Sequence, residues 1–384
     1  MSFGLAGLFA LKRTGVWMHS VCWICVMPPL PLHEFHQAAG AVFTEVNGQE
    51  VVVHYGDWLG EYAALRQGAG VLDLSFRARL CLLGADAQRF LNGQVTNNVK
   101  DLSVGQGCYA ALVSAKGRLH SDLNIYRLES EMLLDFEPGL SASVAARLEK
   151  FVIAEDVQVV DAAPHYGLLS VQGPKAAEVV GGLWPRLALP PEPMAVIKVA
   201  QPAVGDIYLT CQPRLRSRGF DLFVPAAAMH SLAAPLLERG GRLCGWQALE
   251  TARVEAGIPR FGADMDQTHL APEALDARAI SYSKGCYIGQ EVIARIRTYG
   301  QVARALRALR LGGARKEAPA RGAKLFLGEK EVGGITSAVW SPALQAVIAL
   351  GYVRREANHT GTELLVQTPG GKIPAQIVEL PFQP

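Results

Sequence analysis

The chain has 384 residues, half of them hydrophobic and 19% charged, and its 37 basic and 35 acidic side chains leave a net charge of only +2. That profile excludes a disordered or fibrous chain, and it offers no overall electrostatic case for nucleic acid or an anionic membrane as partner. At roughly 150 residues per domain, two or three domains are expected. The seven cysteines are scattered and odd in number, so a disulfide framework is not expected and a reducing, cytoplasmic setting is.

Residues 1–27 read as a leader outside the fold. Thr14 to Met27 is uncharged and largely apolar. At about 14 residues it is too short to cross a bilayer as a helix. Lys12 and Arg13 ahead of it fit a signal peptide, whereas the Met-Pro-Pro-Leu text from Met27 fits an upstream extension of the true start, and the extension is the reading adopted. Cys22 and Cys25 have C-x-x-C spacing without a second ligand pair, which is chance spacing rather than a metal or redox motif.

From about residue 40, short apolar strands alternate with helix signals. Val51 to Val53 is a β-branched run and Ala78 to Leu83 reads as a strand. Asp86 is placed to cap a helix through Phe90 and Leu91. Leu123 to Leu128 alternates with period two, and Ser141 to Ala154 has helical spacing at Val144, Leu148, Phe151 and Val152. Trp246 to Ala256 predicts a helix closed by Gly257 and Pro259, and Arg260 to Ile280 reads as a long ordered loop. Without a regular βαβ rhythm, these elements predict an α+β region over 28–303, built as two subdomains. After residue 303, short strands at close spacing predict a small all-β barrel over 304–384. The basic stretch Arg295, Arg297, Arg304, Arg307, Arg310, Arg315 and Lys316 has little aromatic interleaving, and its plainest reading is a charged face on the link between the two regions.

The chemistry concentrates in Lys284-Gly-Cys-Tyr-Ile-Gly-Gln-Glu291. A thiol reacts as thiolate, and an adjacent ammonium or a following helix N-terminus lowers its pKa. Lys284 lies two residues before Cys286, and Gln290 to Arg297 has the spacing of such a helix. A packed cysteine between two turn glycines fits the same text.

This stretch, with Val292 to Ile296 after it, resembles the signature of the YgfZ family, folate-binding relatives of the glycine-cleavage T-protein (aminomethyltransferase) that support iron–sulfur proteins. Arg253-Val-Glu-Ala-Gly-Ile-Pro259 resembles the superfamily's R-x-E-A-G-x-P segment. Val71 to Ser75, Gly105 to Tyr109, and Val332 to Ser337 with Ser341-Pro342 resemble three further superfamily motifs. The resemblance runs over roughly residues 40–380. It implies a T-protein-like folate-binding fold ending in a barrel, tetrahydrofolate or a derivative as cofactor, and no metal site.

It also assigns roles. Cys286, Lys284 and Asp122 are the expected catalytic group, and Tyr109, Asp122, Arg253, Glu255, Tyr287, Gln290 and Glu291 the expected folate contacts. The T-protein's catalytic carboxylate lies in a G-G-x-x-D-D-L run. Here the matching text is Lys116-Gly-Arg-Leu-His-Ser121-Asp122-Leu123, with serine for the first acid. Arg253 and Glu255, two apart, point about 200° apart on a helix and so serve different partners. The function implied first is assistance to assembly or repair of iron–sulfur clusters in client enzymes, including those that modify tRNA, with folate and iron–sulfur proteins as partners and no direct nucleic acid or membrane contact. A folate-dependent aminomethyltransferase and a non-catalytic adaptor are the alternatives.

Overall fold

The computed structural model of the protein describes residues 28–300, 302–313 and 316–382. The expected leader, with Cys22 and Cys25, and Arg315 of the basic stretch lie outside the described residues.

Two antiparallel sheets dominate the first region. One has five strands in the order Gly107–Val113, Leu119–Arg127, Glu131–Phe136, Ala78–Leu83 and Gln158–Asp161. The other has six, ordered Val196–Gln201, Gly205–Cys211, Gly219–Pro225, Tyr166–Gln172, Gly70–Asp73 and Arg242–Leu243, and only its last pair is parallel. Sequence neighbours pair as hairpins, and helices cover one side, so the region is α+β. Each sheet carries its own apolar core. Leu80, Leu82, Leu123 and Leu134 pack under the helices Ala87–Gln94 and Ser141–Glu149. Val171, Leu209, Leu222 and Val224 pack under Ala176–Leu183 and Met229–Glu238. A third core, with Tyr62, Leu72, Tyr126 and Phe223, joins the two sheets.

The helix at Asp86 forms as expected, but the aspartate makes no side-chain cap. Its carboxylate takes the Asp156 N–H and an Arg89 guanidinium instead. The helix from Ser141 stops at Glu149, five residues short of the periodic text, once Val144 and Leu148 have entered the core. The stretch after Arg260 holds a short helix, Ala271–Ala274, and a single turn, Ala277–Ala279. Its Ala271, Ala274 and Ala279 pack with Phe261, Met265 and Tyr287 in a separate apolar cluster.

The remaining six strands close into a barrel ordered Arg304–Leu311, Ala346–Arg354, Lys330–Ser341, Lys324–Leu327, Glu363–Thr368 and Gly371–Val378. Its first strand carries Arg304, Arg307 and Arg310 of the basic stretch, while Arg295 and Arg297 lie on the helix Gln290–Tyr299. Leu309 and Leu311 enter the barrel core, Ala305 and Arg307 line the cavity described below, and Arg310 is exposed. Among the described residues no helix is long and apolar enough to cross a membrane.

Candidate active site

A cavity of about 590 Å³ opens where the two sheets, the helix Trp246–Glu255 and the barrel's first strand meet. That is within the usual range for a small-molecule site. Phe76, Leu249 and Trp246 give it apolar wall, Asp122, Glu137, Arg77, Arg214 and Arg260 give it charge, and Asn124 adds a neutral amide.

Asp122 reaches the cavity from the strand Leu119–Arg127. The pleat sends alternate side chains to opposite faces. Ser121 is therefore turned away and fully enclosed, while Asp122 faces the cavity. The serine that replaces an acid in this motif is on the packed side of the strand, and the cavity keeps its carboxylate. The Tyr109 hydroxyl donates to Asp122 Oδ2 at 2.9 Å. Oδ1 is shut off from solvent and has no partner in the protein. Burial, reinforced by the negative charge of Glu137, raises the carboxyl to a pKa of about 6, against the Tyr109 bond and the Arg77 charge that lower it. Burial and the nearby Asp122 charge in turn push the Tyr109 phenol well up.

The charged wall is an alternating chain of ion pairs. Arg214 links Asp221 to Asp135, and Arg77 links Asp135, at 2.7 Å, to Glu137. Arg260 links Glu137, at 3.4 Å, to Glu250, at 3.1 Å, and Arg253 links Glu250, at 2.8 Å, to Asp264. Asp264 accepts from Thr336 of the barrel at 2.6 Å. The chain therefore ties both sheets, the long helix and the barrel together around one cavity. Asp135, buried inside it, is held well below the ordinary carboxylate range because Arg77 and Arg214 outweigh the burial that opposes ionisation. Arg260 also lies over the Trp246 ring, 4.7 Å from its centroid, which fixes the indole edge-on to Phe76.

Of the expected site residues, Tyr109, Asp122 and Arg253 line this cavity. Lys284, Cys286, Tyr287, Gln290, Glu291 and Glu255 are not in its lining. Arg253 and Glu255 do serve different partners. Glu255 is buried behind the helix, where it accepts from Tyr62 at 2.8 Å and from Ser341. Lys284 is buried and donates to the carbonyls of Asn92, Val95 and Asn97, closing the end of the helix Ala87–Gln94. Burial pushes its ammonium down to about 8. The thiol whose ionisation Lys284 favours is Cys108, which lines the cavity and which burial still holds up at about 12. Tyr287 packs with Phe261 and Ile293. Gln290 and Glu291 open the helix Gln290–Tyr299, and Cys286 is exposed on the preceding turn. Among the described residues no three His, Cys, Asp or Glu side chains converge as metal ligands.

Sequence reasoning missed Arg77, Glu137, Arg214, Glu250, Arg260 and Trp246. The signal for part of this set was present. Asp135 in Met-Leu-Leu-Asp-Phe and Asp221 in Gly-Phe-Asp-Leu-Phe are lone acids inside apolar strands, and a buried acid requires a cationic partner.

The GCVT N-terminal domain matches residues 32–284, and the glycine cleavage T-protein C-terminal barrel domain matches residues 304–383. The chain is 30% identical to the aminomethyltransferase of Saccharopolyspora erythraea, over 92% of this chain and 97% of that one. It is 31% identical to the aminomethyltransferase of Thermosynechococcus vestitus, over 92% and 94% of the two chains. The crystal structure of the glycine cleavage system aminomethyltransferase T from Bartonella henselae superposes with a TM-score of 0.84 at 26% identity, over 93% of this chain and 98% of that one. The chain belongs to the glycine cleavage T-protein family, with the family's mixed α/β region and closed six-stranded barrel.

Proposed function

We propose that the cavity binds a reduced folate and that the protein is a folate-dependent one-carbon transferase of the aminomethyltransferase type. The observation that carries this is Asp122, a carboxyl with one oxygen fixed by Tyr109 and the other enclosed and unpartnered at the cavity wall. An enclosed acceptor without a donor is costly unless a ligand N–H completes it. The bound tetrahydrofolate supplies the nitrogen that carries the one-carbon unit. Asp122 orients that N–H and takes its proton, and a pKa of about 6 suits a base that is mostly ionised yet still proton-hungry at neutral pH.

The flat ring system fits between Phe76, Leu249 and Trp246. The carboxylate tail falls to Arg216 and Arg307 rather than to Arg253, whose charge is already met by Glu250 and Asp264. The described hydrogen bonds of Arg216 and Arg307 go to backbone carbonyls, so their charge is available. Titration of tetrahydrofolate into the wild type and Asp122→Asn tests this. The expected result is saturable binding weakened about tenfold or more in the variant, consistent with one lost charge-assisted hydrogen bond. Equal affinities would overturn the assignment.

A second reading has its own observation, the exposure of Cys286 on the YgfZ-like segment. A folate-bound protein presenting that thiol to iron–sulfur client enzymes uses Cys286 outside the cavity. Loss of client cluster occupancy in Cys286→Ser, with tetrahydrofolate affinity unchanged, would favour this reading over transfer chemistry alone.

A further inference from the structure

The chain leaves the last barrel strand at Val378 and returns to the cavity. Leu380 lines the cavity and is also 37% exposed, so its side chain stands between the cavity and solvent. The exposed charged residues of the rim are fixed to the body of the protein. Arg216 bonds the Ala256 and Gly257 carbonyls, and Arg278 pairs with Asp276. Leu380 is held differently. It rests on Gly257, whose φ is +65° and where a Cβ would lie 2.3 Å from Leu380 Cδ2. Two residues further on, the Phe382 N–H donates to the Glu255 carbonyl at 3.3 Å. The Phe382 side chain packs on the apolar cluster of Val254, Leu344 and Ile348, between the long helix and the barrel. A segment tethered at one end meets no loop-closure penalty when it lifts, and one with few contacts opens well before the fold does.

We propose that residues 379–382 form a strap over the rim of the cavity, with Leu380 as its closing side chain and Phe382 as its anchor, and that its release sets how fast a ligand enters and leaves. The two roles are separate in the structure. Phe382 is not in the cavity lining, and Leu380 is not in the apolar cluster that holds Phe382. Loss of the anchor frees the strap, and loss of the closing side chain widens the rim with the strap in place. A passive clamp between helix and barrel would need Phe382 alone. The strap rests on the geometry of the cavity; only its bearing on folate exchange rests on the folate reading.

Cysteine labelling of the full chain with a bulky maleimide tests this without any ligand. Cys108 lines the cavity and Cys286 is exposed outside it, so one sample reads both. Cys81 and Cys244, buried in the core that joins the two sheets, report unfolding in the same sample. Phe382→Ala and Leu380→Ala should each label Cys108 about fivefold or more faster than wild type, with Cys286 unchanged and Cys81 and Cys244 still protected. Tetrahydrofolate should associate with and dissociate from both variants faster, so that its affinity changes less than either rate. A wild-type Cys108 rate in either variant would overturn the proposal. So would a rise at Cys108 matched at Cys81 and Cys244, which marks general loosening, or bound tetrahydrofolate leaving at the wild-type rate. If tetrahydrofolate fails to bind while Cys108 labelling accelerates as described, the folate reading falls and the strap stands.

Discussion

The Lys284 ammonium donates to the Asn97 carbonyl at 2.7 Å, across 187 positions of sequence. With the carbonyls of Asn92 and Val95 it completes a three-donor cap on the helix Ala87–Gln94. The side chain nearest in sequence to Cys286 that could have activated it is turned inward and fully used. Its first effect is thus on stability. Lys284→Met removes three bonds to buried acceptors, and a loss of about 2–4 kcal/mol is expected. Lys284→Arg should not restore it, because a planar guanidinium cannot converge on three carbonyls as an ammonium does. Chemical denaturation of the two variants checks this, and wild-type stability in Lys284→Met would show that the cap is dispensable.

How much of this was legible in the sequence depends on the range of the interaction. Strand alternation and short turns are local, so the barrel strands and the α+β text could be read off directly. The phase of the helix Trp246–Glu255 is local too, and it correctly separated Arg253 from Glu255. The direction of Lys284 is not local, because three carbonyls from a helix end and the turn after it, nearly two hundred residues earlier, decide it. The same holds for the ion-pair chain, whose members come from strands, a helix and loops that meet only around the cavity. Arg304 to Arg310 misled for another reason. A barrel strand with an arginine at every third position carries the same charges as a linker, and only the burial of Leu309 and Leu311 in the barrel core distinguishes it.

Ser121 tests the strand phase directly. It is fully enclosed on the face opposite Asp122, and its hydroxyl bonds to the Asp122 carbonyl. Restoring the paired acid of the T-protein motif by Ser121→Asp would bury a carboxylate that faces the packed side. A stability loss of about 3 kcal/mol or more is expected, with no gain in tetrahydrofolate affinity. Improved binding at unchanged stability would mean that position 121, not 122, faces the ligand.

Asp122 gives the pH dependence. Its carboxyl is raised to about 6 in the folded chain, above its ordinary value in the unfolded one. The folded state therefore holds the proton longer, and between about pH 4 and 6 rising pH works against the fold. Above pH 6 that cost is fully present. Asp122→Asn should raise Tm by about 2 °C at pH 7.5, with the gain vanishing below about pH 4. Ligand affinity has the opposite trend. Tetrahydrofolate binding to the wild type should strengthen through pH 6 as the carboxylate forms, and the inflection should be missing in the variant. Melting curves and titrations over pH 4–8 read both effects, and a pH-independent difference in Tm would contradict the assignment.

Arg260 joins the two halves of the ion-pair chain, since Glu137 and Glu250 meet no other common cation among the described contacts. Arg260→Met keeps the aliphatic stem against Trp246 but leaves both carboxylates short of a partner. Breaking a largely buried pair from one side costs about 3–5 kcal/mol, most of it from the charge left behind. Removing that charge should recover part of the loss, so Arg260→Met with Glu250→Gln is expected to be more stable than Arg260→Met alone. The double-mutant cycle then gives a coupling of about 1–3 kcal/mol between the two residues. Arg260→Lys should fall between wild type and Arg260→Met, because one ammonium cannot span two carboxylates and cover the indole. Trp246 fluorescence reports the same event independently, since loss of the stacked cation should shift its emission. Additive losses in the cycle would mean that Glu250 is held by Arg253 alone and that the chain does not run through Arg260.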